Sequence, residues 1–461
     1  MKVLWLIPPI EGNPNIGQYR FYKNTPVRAS LEYPYLNAMG VTQLDLAGFD
    51  VAFLDCPANK IKVLPMHACM HADLVVMEAR TPILNQVFEV ADFLRSEGLT
   101  VALFGDHVTW QPNEALLHAD YVVLGGDFDY GVSKLAEAIR NNEVVNRKFD
   151  VGLVENLDDL PHVNHELVPW HQYYEAWRNR DKFFYTMSGR GCCYNCTFCC
   201  WIKLLWHNKL RQRSVKDVVS EFEEVYSKYG VCEIWDDHDC FNTVWGVKFA
   251  EKLIKKDFIH KEILWAFQTH SNMIRDLKSL KTMKKSGLHV VKLGIESANQ
   301  KTLNRIGKHV TVKQHEKAIR LLKEADIMVH ANLMVGWPWE TKEEAYRTLE
   351  WIIKQDPNQA QFSLIIPYPF TPLYDEAKAN NWLIINEKDW SQFDASKPML
   401  TMQNMTVSEI VQLYKDSWSR FYLNRKYVWK HLKTVKNWQD IKQLWRGFKS
   451  IYFGHMKAIK T

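Results

Sequence analysis

No stretch of this chain reaches the roughly 18 consecutive apolar residues that a membrane-spanning helix needs, so no transmembrane segment is expected. Met1–Ile10 is apolar but short, and it runs into Glu-Gly-Asn-Pro without a small-residue cleavage site. It reads as a buried first strand rather than a secretory signal, and the cytoplasm is the expected compartment. Neither GxGxxG nor GxxxxGK(S/T) occurs, which leaves no indication of a dinucleotide or a P-loop nucleotide. Internal repeats and low-complexity segments are also missing. With 47% hydrophobic and 24% charged residues, bulk disorder is excluded. The nine cysteines are not spread as a disulfide framework would spread them, because five lie between 192 and 200. A chain of 461 residues can bury a core without such staples, so the clustering points to metal or redox chemistry in a reducing compartment. The net charge of +5 hides an asymmetry: from Lys415 onward there are 12 basic and 2 acidic residues, while the first 414 carry 46 and 51. A nucleic-acid footprint over the whole chain is therefore not supported.

What is present is an alternation of strands and helices. Residues 1–150 read as strands at Lys2–Ile7, Asp50–Leu54, Asp73–Met77, Val101–Phe104 and Tyr121–Leu124. Between them Leu84–Glu97 carries apolar residues at helical spacing. Residues 151–180, with Pro161 and Pro169, read as a linker. From 181 to 385 the pattern resumes with strands at Phe183–Met187, Cys232–Trp235, Ile263–Phe267, Val290–Leu293, Met328–Val335 and Phe362–Ile366. Ser214 with Asp217, Thr311 with Gln314 and Thr341 with Glu344 read as capping boxes at the following helices. The expected fold class is α/β: an N-terminal Rossmann-like doubly wound parallel sheet, a partial (β/α)6 TIM-type barrel, and a C-terminal helical region over 386–461.

The segment Ser188-Gly-Arg-Gly-Cys192-Cys-Tyr-Asn-Cys196-Thr-Phe-Cys199 follows the first strand of the second series, on the face where such barrels place their sites. Cys192, Cys196 and Cys199 are spaced CxxxCxxC. Three thiolates on a glycine-bearing loop can hold three irons of a [4Fe-4S] cluster and leave the fourth open, whereas an electron-transfer cluster normally has four. Structural zinc is the alternative, with Cys193, Cys200 or His207 as the fourth ligand.

This segment resembles the radical S-adenosylmethionine (SAM) superfamily, in its subclass with an N-terminal cobalamin-binding-type domain, the group that includes anaerobic magnesium-protoporphyrin ester cyclases. It follows that subclass's SRGCPYxCxFC, with Gly189 inserted and Cys193 in place of proline. Gly294-Ile-Glu-Ser297, Val335-Gly-Trp-Pro-Trp-Glu-Thr341 and Pro367-Tyr-Pro-Phe-Thr-Pro-Leu-Tyr374 continue the similarity, with Phe370 where glycine is common. The resemblance implies that the open iron chelates SAM and that one electron cleaves it to a 5′-deoxyadenosyl radical. It also implies that Phe198 lies beside adenine, that Asp239 binds the SAM ammonium, that Glu296 and Ser297 reach the ribose or ammonium, and that Gly336 and Pro338 shape the adenine pocket. His238 replaces the first acid of the family's pair. His270 stands where the family has an arginine; by itself it reads as a satisfied polar residue.

In the N-terminal region Leu44-Asp-Leu-Ala-Gly-Phe-Asp-Val-Ala-Phe-Leu-Asp55, Gly105-Asp-His-Val-Thr109 and Val122-Val-Leu-Gly125 are similar to units of the cobalamin-binding fold, although the DxHxxG histidine is absent. The resemblance implies cobalamin over Gly105, Asp106, His107, Gly125 and Gly126. It further implies an external electron donor, a small-molecule substrate, and methylation or another modification of an unactivated carbon. A cobalamin-independent radical SAM oxidoreductase or cyclase, and an Fe–S or zinc regulatory or nucleic-acid-binding protein, are the alternatives. The aromatic, basic tail reads either as a helical cap with a solvated lysine face, or as an interfacial segment that meets anionic lipid or covers an apolar substrate.

Overall fold

Two parallel sheets organise the computed structural model, which describes all residues except 12–14, 17–20, 23–30, 144, 175–177, 179, 239, 258–261, 388, 396, 434, 436–437, 450 and 453–461. The first sheet has six strands: β1 (Lys2–Ile7), β2 (Asp50–Asp55), β3 (Leu74–Glu78), β4 (Val101–Phe104), β5 (Tyr121–Val123) and β6 (Lys148–Phe149). Their spatial order is β2-β1-β3-β4-β5-β6, with all neighbours parallel. The first five are the predicted strands within a residue at either end; β6, two residues at an edge, has no sequence signal. Strand periodicity splits the core in two. Trp5, Val76 and Phe104 pack under the helices Tyr35–Leu46 and Phe128–Arg140, while Leu4, Val75 and Leu103 pack under Leu84–Ser96. Strand order reverses between β1 and β3, and open α/β sheets hold ligands outside the strand carboxyl ends at such a switch point.

The second sheet runs in chain order: β7 (Phe183–Thr186), β8 (Cys232–Asp236), β9 (Ile263–Thr269), β10 (Leu288–Glu296), β11 (Met328–Val335) and β12 (Gln359–Leu364), again all parallel. It is a half-barrel with its helices outside. On its concave side Tyr185, Met187, Trp235 and Ala266 share one apolar cluster with Trp5, Tyr33 and Tyr35, so the N-terminal unit fills part of the lumen. Strands β9 and β10 extend beyond the predicted spans because they stay paired past the apolar run.

The connection 151–180 contains three short 3-10 turns, at Leu157–Asp159, His165–Leu167 and Trp170–Gln172. Two predicted capping boxes are present, at Thr311 and Thr341. At Ser214 only half of one forms: its hydroxyl accepts from the Asp217 N–H, but the Asp217 carboxylate turns to Arg213, 2.6 Å, and His162, 3.1 Å. A stronger cationic partner has displaced the reciprocal bond.

Helix Val407–Tyr422 buries Ile410, Tyr414, Trp418 and Phe421 against the half-barrel. Tyr422 accepts from the Ala360 N–H at 3.0 Å and donates to the Ala360 carbonyl at 2.6 Å, satisfying the open edge of β12. That helix is the predicted cap. No helix among the described residues is long and apolar enough to cross a membrane.

Candidate active site

The cysteine loop leaves β7 and is held from three sides. Gly189-Arg190 pairs antiparallel with Arg211-Gln212. Gly191 adopts φ +91°, and a Cβ there would lie 2.0 Å from the Lys209 carbonyl, so no other residue fits. The Arg190 guanidinium is buried between Asp127, 2.7 Å, and Asp129, 2.8 Å, both from the N-terminal unit. Farther along, the Thr197 N–H donates to the Ile306 carbonyl and its own carbonyl accepts from the Leu373 N–H, each at 3.0 Å. These anchors fix the backbone around Cys192, which is buried, and Cys196 and Cys199, which are half-buried; Cys193 is exposed.

Among the described residues no three His, Cys, Asp or Glu side chains converge on a point as ligands of one metal ion. Zinc would need four ligands that meet at one centre. A four-iron cluster asks for something else: three separated thiolates, one for each of three irons. Cys192, Cys196 and Cys199 of this loop have that chemistry. Beside the loop, His238 is fully buried with at most the Gly191 backbone as a partner for its ring, and burial pushes its pKa down to about 4. Its ring lies against Gly189, where a Cβ would be 2.7 Å away. A buried imidazole short of partners is costly unless a bound group supplies one, so the surroundings as well as the donors fit a group seated on this loop.

Opposite the loop, at the end of β10, lies a pair of buried charges. The Lys308 ammonium is 3.0 Å from Glu296 Oε1. Burial alone would lower the lysine pKa, but the Glu296 carboxylate and the nearby Cys196 and Cys192 hold it well above its ordinary value. Burial pushes the Cys196 thiol up to about 11, with Lys308 pulling it the other way. The pair sits on Gly294, where a Cβ would be 2.8 Å from both charged groups. Glu296 itself adopts φ +64° at a shift of the β10–β11 register.

Ser297, one residue on, donates to Glu340 at 3.0 Å, and Thr302 does so at 2.6 Å. Glu340 is buried, which raises its pKa to about 7 despite those donors. Phe198 meets Trp337 edge-on at 5.8 Å, so the cysteine loop and the Gly336-Trp337-Pro338 turn form one apolar wall. The structure thus gathers Cys192, Cys196, Cys199, Phe198, Glu296, Ser297, Gly336 and Pro338 at the carboxyl ends of the half-barrel strands. Asp239 lies outside the described residues. His270 is a brace: its ring stacks on Tyr194 at 4.0 Å, Nε2 donates to the Lys308 carbonyl at 2.6 Å, and Nδ1 lies 2.9 Å from the Asn272 amide.

The strand ends of the first sheet differ in kind. Gly105 has φ +120°, with a would-be Cβ 3.1 Å from the Ala79 carbonyl. Gly125 has φ +87°, with Asp150 Oδ1 4.0 Å from a would-be Cβ, and its N–H donates to Thr109 at 3.1 Å. Gly126 is filled by protein, since a Cβ would be 2.6 Å from Trp206. Asp106 is buried, which raises its pKa against the pull of Arg80. His107 is 0% exposed, 2.9 Å from Glu114 through Nε2 and 3.3 Å from Thr81 through Nδ1, under Trp390 and Trp110. Neither nitrogen is left for cobalt. The face fits a corrin held by shape and backbone, not one ligated by this imidazole. Phe370, at φ +61°, brings its ring 5.5 Å from Trp110 and joins the two strand-end faces.

Lys308, Glu340 and Arg190 were not singled out by their residue types. Glu340 stands inside a recognisable motif, but nothing in the local sequence separates Lys308 from the chain's many exposed lysines.

Comparison with known proteins agrees with this geometry. Residues 186–352 match the family model described as the radical SAM superfamily. The chain is 27% identical over 401 residues to an uncharacterised methyltransferase of Pyrococcus horikoshii, covering 83% of this chain and 85% of that one. It is 27% identical over 420 residues to the anaerobic magnesium-protoporphyrin IX monomethyl ester cyclase of Cereibacter sphaeroides, covering 84% and 67%. Two solved structures share the fold. The radical SAM methyltransferase TsrM from Kitasatospora setae, with cobalamin and a [4Fe-4S] cluster bound, superposes with a TM-score of 0.65 at 14% identity over 91% of this chain and 88% of that one. The cobalamin-dependent SAM radical enzyme OxsB, with aqua-cobalamin and SAM bound, gives 0.70 at 14% identity over 97% and 70%. Motifs, half-barrel and relatives agree: residues 186–352 are a radical SAM domain, and the chain as a whole is similar to the subclass that carries an N-terminal cobalamin-binding-type domain.

Proposed function

We propose that the protein uses SAM and cobalamin to methylate an unactivated carbon of a small, apolar molecule, drawing electrons from an external donor. The observation that carries this reading is the placement of three thiols opposite a buried Glu296–Lys308 pair. When bound, a [4Fe-4S] cluster on Cys192, Cys196 and Cys199 supplies an open iron and the electron that cleaves the SAM sulfonium. The chain's own residues hold the cosubstrate. The amino-acid end of SAM is a zwitterion and needs one charge of each sign once water is excluded. Lys308 takes the carboxylate, and Glu296 takes the ammonium together with Asp239. Phe198 and the Gly336–Pro338 turn wall the adenine, and the Ser297–Glu340 pair holds that turn against the end of β10. Gly105 and Gly125, just past β4 and β5, would hold cobalamin through backbone and shape, and when bound it would supply a methyl group; His107 stays on Glu114.

The names of the relatives support methylation, and those of the cyclases support oxidative ring closure as a second reading. Anaerobic reconstitution with iron, sulfide and hydroxocobalamin separates them. Methylation requires bound corrin and formation of both 5′-deoxyadenosine and S-adenosylhomocysteine on reduction; ring closure gives the first product without the second. Cys196→Ala loses iron, sulfide and both products. Undiminished SAM cleavage by that variant overturns the assignment of the loop.

A further inference from the structure

Eight of the seventeen large apolar side chains that are exposed among the described residues lie in the last stretch of chain, from Leu423 to Phe448. The three exposed tryptophans among them are Trp429, 62% exposed, Trp438, 69%, and Trp445, 56%; all belong to this stretch. In the helix Trp438–Lys449, residues Trp438, Ile441, Trp445 and Phe448 follow one another at intervals of three and four and are all exposed, so at roughly 100° per residue they form a single ridge. Trp445 stacks on Phe448 at 5.6 Å and Phe448 on Tyr452 at 5.8 Å, which extends the ridge past the helix end. The preceding helix, Arg425–Leu432, adds Val428, Trp429 and Leu432, while its Tyr427 packs back on Phe421 and Tyr422.

We propose that Leu423–Tyr452 is an interfacial anchor that seats this protein on an anionic lipid surface. Charge decides the occupant. From Lys415 onward the sequence has 12 basic and 2 acidic residues, while the rest of the chain is net acidic; Arg420, Lys426 and Lys430 pair with Glu350 and Asp356 of the body, and the stretch stays strongly basic after those pairs are set aside. A second copy of the same face would bring two strongly positive segments together, whereas an anionic surface neutralises them. The apolar ridge favours lipid over nucleic acid, because Ile441, Phe448 and Leu432 gain from the boundary between headgroups and acyl chains and nothing from phosphates in water. Ammonium groups sit where snorkelling side chains belong: Lys449 is 5.3 Å from the Trp445 ring centroid and Lys433 is 5.4 Å from that of Trp429. The helix of 12 residues, about 18 Å long, lies along such a surface and cannot cross it. The edge strand β12 is already covered by Val407–Tyr422, so the sheet makes no demand on the ridge.

The test is co-sedimentation of the full chain with vesicles of phosphatidylcholine alone and of phosphatidylcholine with phosphatidylglycerol, at low and physiological salt. Binding is expected to the mixed vesicles, to weaken with salt, and to be much poorer on phosphatidylcholine. Trp438→Ser/Trp445→Ser/Phe448→Ser in one chain weakens it about tenfold or more, and Lys433→Glu/Lys449→Glu does so several-fold. These positions are exposed, so iron content and SAM cleavage in solution stay at the parent level. The proposal is overturned if the mixed vesicles are not bound, or if the triple variant binds them as well as the parent. It is also overturned if the ridge substitutions abolish instead a concentration-dependent dimer or a nucleic-acid complex.

Discussion

Both halves of the molecule place loops over the carboxyl ends of six parallel strands, but the two faces are built from different materials. The half-barrel face is made of reactive and charged side chains: three thiols, the Glu296–Lys308 pair at 3.0 Å, and the buried carboxyl of Glu340. The N-terminal face is made of backbone. Gly105 and Gly125 hold positive φ there, and the ionisable groups nearby are already spent, His107 on Glu114 and Arg80 on Glu78. A face that binds a small zwitterion in a dry pocket must carry fixed charges. A face that holds a large macrocycle needs room and contour more than charge. On the function proposed above, the same topology would serve SAM through side-chain chemistry and a corrin through shape, and the two faces should then respond differently to substitution.

The largest contrast is expected at Lys308. Lys308→Met removes the only cation assigned to SAM in the reading above and leaves Glu296 buried without its partner. SAM affinity of the reconstituted, unreduced protein should fall roughly a hundredfold, the loss expected for one member of a buried, hydrogen-bonded charge pair. Iron content should be retained, because the lysine is not a ligand. Lys308→Arg, which keeps the charge, should recover much of the affinity. Normal SAM binding by Lys308→Met would show that the half-barrel face does not work through paired charges.

These differences explain what could be read from the amino-acid sequence. Strands β1 to β5, β11 and the cysteine loop were legible because their signals are local: short apolar runs between turn residues, and thiols at fixed spacing. β6 was not, because two residues at a sheet edge carry no periodicity. The roles of Lys308 and His107 depend on partners far along the chain. Trp390, which covers His107, donates to Glu114 across 276 residues at 3.2 Å. Asp217 looked like the second half of a capping box until Arg213 competed for it. The tail showed its composition but not its division. Trp418 and Tyr422 turned inward onto the half-barrel, while Trp438 and Trp445 turned outward.

Glu340 offers a smaller effect on the same charged face. Its folded pKa of about 7 lies above the ordinary value of 4.5, so the folded state holds this proton more tightly than the unfolded chain does. Between those two values the folded state binds more protons, and stability falls as pH rises through the window, then levels off above about 7. Glu340→Gln removes that loss. The stability of the variant relative to the parent, measured by denaturant unfolding, should rise from pH 5 to pH 8 by about 1–3 kcal/mol. A difference that stays flat across this range would mean that the carboxyl is ionised in the fold.

The smallest ligand effect belongs to the other face. If His107 is a structural residue, His107→Phe keeps a ring between Trp110 and Trp390 but strands Glu114 and Thr81, and stability should drop by about 1–3 kcal/mol. Corrin bound on reconstitution should nevertheless stay within about twofold of the parent, and the cobalt absorption bands should not move, because no imidazole reaches the metal from this position. A shifted spectrum with folding intact would place a protein nitrogen on cobalt, and the N-terminal face would then bind through a side chain after all. An unchanged spectrum with a lowered unfolding midpoint is the outcome that keeps the two faces distinct, since it separates what holds the sheet together from what holds its ligand.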